Sequence, residues 1–223
     1  MAWRCNGRSN AEMVEALRDA GLITSRRVEE AMMAVDRGDF APNQPYRDSP
    51  QGIGYHATIT APHMHANALE RLHEHLFEGA KALDVGSGSG YLTAAMAVMV
   101  GPRGKVVGIE HIPQLVEMGR RNIEKHHGHL LRSGCIELVE GDGRVGKPID
   151  GGYNAIHVGA AAPTIPMELV RQLADGGRMV VPVGTSSEHQ DFIQIDREGD
   201  QFRQRKLHGV IYVPLTSREE QLR

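Results

Sequence analysis

"ALDVGSGSGYL", residues 82–92, is the stretch on which the fold turns. An apolar run, "KALDVG" (81–86), leads into glycines at alternate positions, Gly86, Gly88 and Gly90, and a second apolar run, "YLTAAMAVMV" (91–100), leads away. Strand, tight turn and helix is the order this predicts. In parallel α/β sheets such a turn sits at the carboxyl end of a strand, where ligands meet a helix N-terminus. A plain tight turn would use glycine as well, so the triplet alone does not establish a ligand. The spacing narrows the choice. The dinucleotide fingerprint G-x-G-x-x-G needs its third glycine at position 91, which is Tyr91.

Outward from the loop, strands and helices alternate. A helix "PHMHANALERLHEHL" (62–76) precedes the loop's strand, and strand "KVVGIEH" (105–111) and helix "IPQLVEMGRRNIEKHH" (112–127) follow its helix. Strands "IELVEGD" (136–142) and "YNAIHVG" (153–159), helix "PMELVRQLAD" (166–175) and strand "GRMVVPVG" (177–184) continue the pattern. Apolar strands alternating with helices predict a doubly wound, mostly parallel α/β sheet. "QDFIQIDRE" (190–198) and "LHGVIYVPL" (207–215) read as antiparallel strands closing the chain. Before the sheet come two helices. "SNAEMVEALRDAG" (9–21) opens on a Ser9–Glu12 capping box and stops at Gly21, and "SRRVEEAMMAV" (25–35) follows. Residues 36–59 read as a long loop, which is uncommon unless it has a task such as covering a site.

Composition excludes several classes. With 4% aromatic residues and a net charge of −3, the chain lacks the basic, ring-bearing face of a nucleic-acid binder. Cys5 and Cys135 give neither a disulfide framework nor a paired metal spacing. No stretch approaches a membrane span, and "MAWRCNGRSNAEM" has no apolar core of signal-peptide length. A cytoplasmic monomer, with neither nucleic acid nor membrane as partner, is the expectation.

Two acids complete a pattern around the loop. Glu110 ends the second strand, where a carboxylate takes ribose hydroxyls. Asp142 ends the third, in "EGDGR", where an acceptor holds an adenine amino group. With Asp84 just before Gly86, this G-x-G-x-G form resembles the first motif of class I S-adenosylmethionine-dependent methyltransferases. An Asn/Asp-Pro-Pro-aromatic motif, which amino-methylating nucleic-acid enzymes carry after the fourth strand, is missing from "IHVGAAAP".

"YHATITAPHMHA", "KALDVGSGSGYLTA", "GDGR", "AIHVGAAAP" and "GVIYVPLT" together resemble the protein-L-isoaspartate O-methyltransferase family in its animal form, over nearly the whole chain. The resemblance implies methylation of the α-carboxyl of L-isoaspartyl residues, and less well D-aspartyl residues, in damaged proteins and peptides. The ester then closes to a succinimide that partly hydrolyses to aspartate. The cofactor implied is S-adenosyl-L-methionine, with S-adenosyl-L-homocysteine as product. The family's cofactor contacts fall on Ala57, Thr58, Ile59, Thr60 and His65, on Ser89 in the glycine loop beside Asp84 and Gly86, and on Glu110, His111, Asp142, Gly143, Thr216 and Gln221. Its active-site hydroxyl falls on Thr60, where many members have serine. Val210, Ile211, Tyr212, Val213 and Pro214 are expected to bind the substrate main chain by edge pairing, which ignores side chains and suits a broad range of sequences. The expected organisation is one domain over 1–223, with a helical cap and substrate loop over 1–60, a cofactor core over 61–184 and C-terminal strands and tail over 185–223.

"HATITAPHMH" (56–65) raises a separate question, since it carries His56, His63 and His65. If Pro62 opens a helix, His63 and His65 differ by about 200° around it and do not grip one ion. No cysteine or carboxylate completes a set, so no metal is expected. Read without the resemblance, Thr60 or Ala61 is a helix cap and the histidines pack. Two other classes stay open on these residues, a methyltransferase for another substrate and a cofactor-binding sensor, since fold alone does not fix function.

Overall fold

Ser9 begins the first helix because its hydroxyl accepts the Glu12 amide at 3.2 Å. The expected capping box is only half formed, since the Glu12 carboxylate turns back to the amide and guanidinium of Arg8 instead of Ser9. In this computed structural model residues 5–185 and 189–223 are described. The "MAWR" opening and residues 186–188, inside the expected tail unit, lie outside the described residues.

In chain order the elements are α1 (Asn10–Asp19), α2 (Arg26–Ala34), β1 (Gln51–Gly54), β2 (Ala57–Ile59), α3 (Pro62–Leu72), β3 (Lys81–Val85), α4 (Tyr91–Val100), β4 (Lys105–Glu110) and α5 (Pro113–Arg132). They continue with β5 (Ile136–Glu140), β6 (Tyr153–Val158), α6 (Met167–Val170), β7 (Leu173–Val183), β8 (Gln190–Glu198), β9 (Gln201–Val210) and α7 (Arg218–Gln221). Seven strands form one sheet in the order β5-β4-β3-β6-β7-β8-β9. The first five are parallel, and β8 and β9 are antiparallel additions. Strand order reverses between β3 and β6, so the crevice above their carboxyl ends is the switch point where such sheets bind ligands.

The period of two along each strand separates two cores. Ala82, Val106, Ala155 and Val180 join the cluster built with α1 to α5. Leu83, Val107, Ile109, Ile156, Val158, Met179 and Val181 join the other, closed by Leu169 and Val170 of α6 and by loop residues such as Ile149 and Leu215. The helical cover is therefore heavy on one face and a single turn on the other. α4 is buried nearly all round, as its uniformly apolar sequence requires.

Five expected segments come out differently. Helix 166–175 shrinks to α6, and residues from Leu173 onward form β7, because Leu169 and Leu173, four apart, fit either period and the β6 ladder at Tyr153 captures Leu173. The loop over 36–59 holds the β1–β2 hairpin. Its two-residue turn is Tyr55–His56, both left-handed (φ 53° and 58°), so no glycine advertises it. Strand 207–215 is really β9, Gln201–Val210, a polar edge strand whose charged sequence hides it. It ends at Val210 because its partner ends at Gln190. α5 runs past 127 to Arg132 through a distorted His127, and α3 stops at Leu72 short of 76.

Candidate active site

Three connected spaces open above the switch point. The main cavity, of about 400 Å³, lies between the glycine loop, the hairpin and the tail. Gly86, Gly88 and Gly90 all have positive φ (76°, 51° and 88°), which a side chain would strain. Gly90 is also pressed against α5, where an added Cβ would come 3.2 Å from the Gly119 Cα. The turn thereby aims the Gly88 amide at Glu110 Oε2 (3.2 Å), and Glu110 Oε1 accepts the Ile112 amide (3.1 Å). Glu110 is 8% exposed and lines the cavity, and burial raises its pKa. Both oxygens thus hold backbone donors, and the carboxylate still lines the cavity where a ligand can meet it.

The opposite wall comes from distant segments. Ala161 binds the tail by accepting the Leu215 amide and donating to the Val213 carbonyl, both at 2.8 Å. Gln221 then acts as a clasp, with its oxygen accepting His111 Nε2 (2.8 Å) and its amide donating to the Tyr55 carbonyl (2.9 Å). A Ser217–Glu220 capping box holds the turn that carries it. Ala57, Thr58, Gly86, Glu110 and His111 thus meet Gly143, Val213, Pro214, Thr216 and Gln221 around one space.

Deeper in, a niche of about 30 Å³ gathers Thr58, Ile59, Thr60, His65, Asp84, Gly86 and Ser89. Outside, a groove of about 790 Å³ runs between Thr58, Thr60, His63 and Met64 on one side and residues 209–213 on the other. Thr58 and Gly159 border all three spaces, and Thr60 stands between niche and groove. Among the described residues the groove is lined by no carboxylate, and Asp48 and Asp191 beside it are paired with the groove histidines His63 (2.7 Å) and His189 (2.8 Å).

Two expected contacts are already engaged within the chain. The Asp142 carboxylate is gripped by Arg144 through Nε (3.0 Å) and Nη2 (2.8 Å), which lowers its pKa, while the adjacent Gly143 lines the cavity. Tyr212 is unavailable for edge pairing: the Gln190 side chain takes its amide (2.6 Å) and its carbonyl (3.1 Å). Ile211, 96% exposed, keeps its backbone amide and carbonyl without a partner among the described residues. Thr60 is not the helix cap. Ala61 holds that position, with no side-chain cap bond.

The family model described as protein-L-isoaspartate(D-aspartate) O-methyltransferase matches residues 8–220. The chain belongs to that family. A protein-L-isoaspartate O-methyltransferase of Caenorhabditis elegans is 57% identical over 99% of this chain and 98% of its own. One from Triticum aestivum is 52% identical over 96% and 94%. A crystal structure from Plasmodium falciparum, described as this methyltransferase in complex with S-adenosyl-L-homocysteine, superposes with a TM-score of 0.87 at 32% identity, covering 94% of this chain and 99% of that one.

Sequence reasoning within this methyltransferase family missed Arg37, which sits in the featureless "DRGDF". Arg37 is fully buried and has no carboxylate within ion-pair distance among the described residues. Its Nε donates to the Pro45 carbonyl (2.8 Å), Nη2 to the Thr60 carbonyl (2.8 Å) and Nη1 to His65 Nδ1 (3.2 Å), with the Tyr91 ring 5.4 Å from its Cζ. Burial lowers its pKa to about 10, which leaves it charged at neutral pH. It therefore clamps the segment that presents Thr60. Arg37→Met should lower the melting temperature by about 5–10 °C, because three acceptors lose donors while relief of a buried cation returns part of that loss. Turnover should fall by about tenfold as Thr60 loosens. A thermal melt beside steady-state rates tests both; an unchanged melt and rate would show the clamp to be dispensable.

Proposed function

We infer that this chain transfers a methyl group from S-adenosyl-L-methionine to the α-carboxyl of L-isoaspartyl residues, and less well D-aspartyl residues, in damaged proteins and peptides, starting their repair through a succinimide. The observation that carries this reading is the shared wall. A cavity with a ribose-type acid and an open groove lined, among the described residues, by no carboxylate meet at Thr58, Gly159 and Val213, with Thr60 beside them between groove and niche.

The residues present fit the methyl donor. The Glu110 oxygens take the ribose hydroxyls, and Gly143 with the Asp142 segment borders the adenine. Ala57 to Thr60, His65 and Ser89 lie toward its amino-acid end. His111, Thr216 and Gln221 close the outer side, linked by the Gln221 clasp. When bound, the donor supplies an electrophilic methyl on a sulfonium. The acceptor carboxylate, with an ordinary pKa of ~3.9, is already ionised at neutral pH, so the chain needs no general base. What its residues do is orient. Thr60 lies where groove and niche meet, and its hydroxyl steers the carboxylate oxygen toward the donor. A water-poor site favours a step in which anion and cation cancel.

Ile211 and the Val213 amide supply main-chain pairing for the substrate, with Val210 and Pro214 flanking them. Ile211→Pro removes the backbone N–H of a residue whose side chain touches little of the protein. Peptide KM should rise by about three- to tenfold with the melting temperature unchanged. Peptide kinetics on the folded variant that match wild type would exclude pairing at that residue. The whole reading is tested by methyl transfer to an isoaspartyl peptide beside its aspartyl twin. Transfer to both alike, or to neither, would overturn it.

Among the described residues no helix is long and apolar enough to cross a membrane. A cytoplasmic monomer acting on proteins, without nucleic acid, fits this reading.

A further inference from the structure

The niche holds two histidines whose ring protons lie in opposite senses. A guanidinium only donates, so Arg37 Nη1 makes His65 Nδ1 an acceptor, and the neutral ring carries its proton on Nε2. Burial first, then the Arg37 charge, pushes the His65 pKa well down and keeps it neutral. His157 is the reverse. Its Nδ1 lies 2.8 Å from Asp84 Oδ1, and a carboxylate only accepts, so the proton is on Nδ1 and the neutral ring keeps a lone pair on Nε2. The second Asp84 oxygen is held by the Thr93 hydroxyl at 2.6 Å. Asp84 is thus occupied on both oxygens and acts through His157. His157 is 3% exposed, lines the niche, and its Nε2 has no partner among the described residues.

The niche therefore has a donor end backed by a cation and an acceptor end backed by an anion. Its volume, about 30 Å³, has room for a group the size of a water or an ammonium, not for a whole amino acid. A buried acceptor backed by a carboxylate favours a cationic donor. We propose that His157, oriented by Asp84, is a specificity-determining residue whose Nε2 accepts a hydrogen bond from the α-ammonium of the methyl donor. This rests on the reading that the main cavity holds S-adenosyl-L-methionine.

Titration calorimetry on the full chain tests it with three ligands: S-adenosyl-L-homocysteine, its desamino analogue and 5′-methylthioadenosine, which lacks the amino-acid end. Wild type should prefer S-adenosyl-L-homocysteine to the desamino analogue by about tenfold or more. His157→Leu should erase that preference and leave 5′-methylthioadenosine affinity unchanged. His157→Gln, which presents an amide oxygen at similar reach, should restore part of it. Equal wild-type affinity for S-adenosyl-L-homocysteine and its desamino analogue overturns the inference alone, without need of a variant. So does a His157→Leu protein that weakens all three ligands alike. Wild type that binds none of the three overturns the reading of the cavity, and this inference with it.

Discussion

Glu110→Ala should weaken S-adenosyl-L-homocysteine binding by about a hundredfold or more, since two hydrogen bonds to a charged acceptor are lost at roughly 1.5–3 kcal/mol each. The carboxylate also anchors Gly88 and Ile112, so the variant releases two backbone amides at the turn. That cost is partly offset, because burial raises the Glu110 pKa and the ionised group is held against its own desolvation. The melting temperature should therefore change little compared with the affinity. Glu110→Gln keeps one acceptor and should fall between wild type and alanine.

The decisive control varies the ligand. Wild type should distinguish a ribonucleoside donor from its dideoxy counterpart, and Glu110→Ala should not. If affinity for S-adenosyl-L-homocysteine is unchanged in a folded Glu110→Ala protein, Glu110 serves only to brace the glycine loop.

The parts of this site legible in the sequence are those whose chemistry is local. Three glycines with a preceding apolar strand define the turn wherever it occurs, and Glu110 follows at the end of the next strand. The missed parts are set by contacts distant in sequence. Arg37 has value only because the Thr60 carbonyl, the Pro45 carbonyl and His65 converge on it from elsewhere in the chain. His157 stands in an apolar strand, and the acceptor role of its Nε2 depends on Asp84 in the neighbouring one. The hairpin turn was hidden because Tyr55 and His56 take conformations usually left to Gly and Asn. The polar strand β9 was hidden because an edge strand does not need an apolar face to pair.

Thr60→Val should lower turnover by about ten- to a thousandfold, by analogy with the loss of one positioned donor elsewhere. Valine keeps the shape of threonine and removes only the hydroxyl, so the variant isolates one hydrogen-bonding group. Loss of a helix cap would cost about 0.5–2 kcal/mol of stability. Here that loss should not appear, because Ala61 is the cap residue and makes no side-chain cap bond. The clamp on this segment acts on the Thr60 carbonyl, which valine retains. Rate and stability should therefore separate, with kcat down and the melting temperature nearly constant. Affinity for S-adenosyl-L-homocysteine should change much less than turnover, since Glu110 and the glycine loop are untouched. Thr60→Ser keeps the oxygen and should remain active, with its extra rotamer freedom costing less than the missing hydroxyl does. Comparing kcat with melting temperature across threonine, serine and valine at this position distinguishes the roles. A Thr60→Val protein with full turnover would remove the hydroxyl from the chemistry and leave orientation of the carboxylate to the backbone amides around Thr58–Thr60.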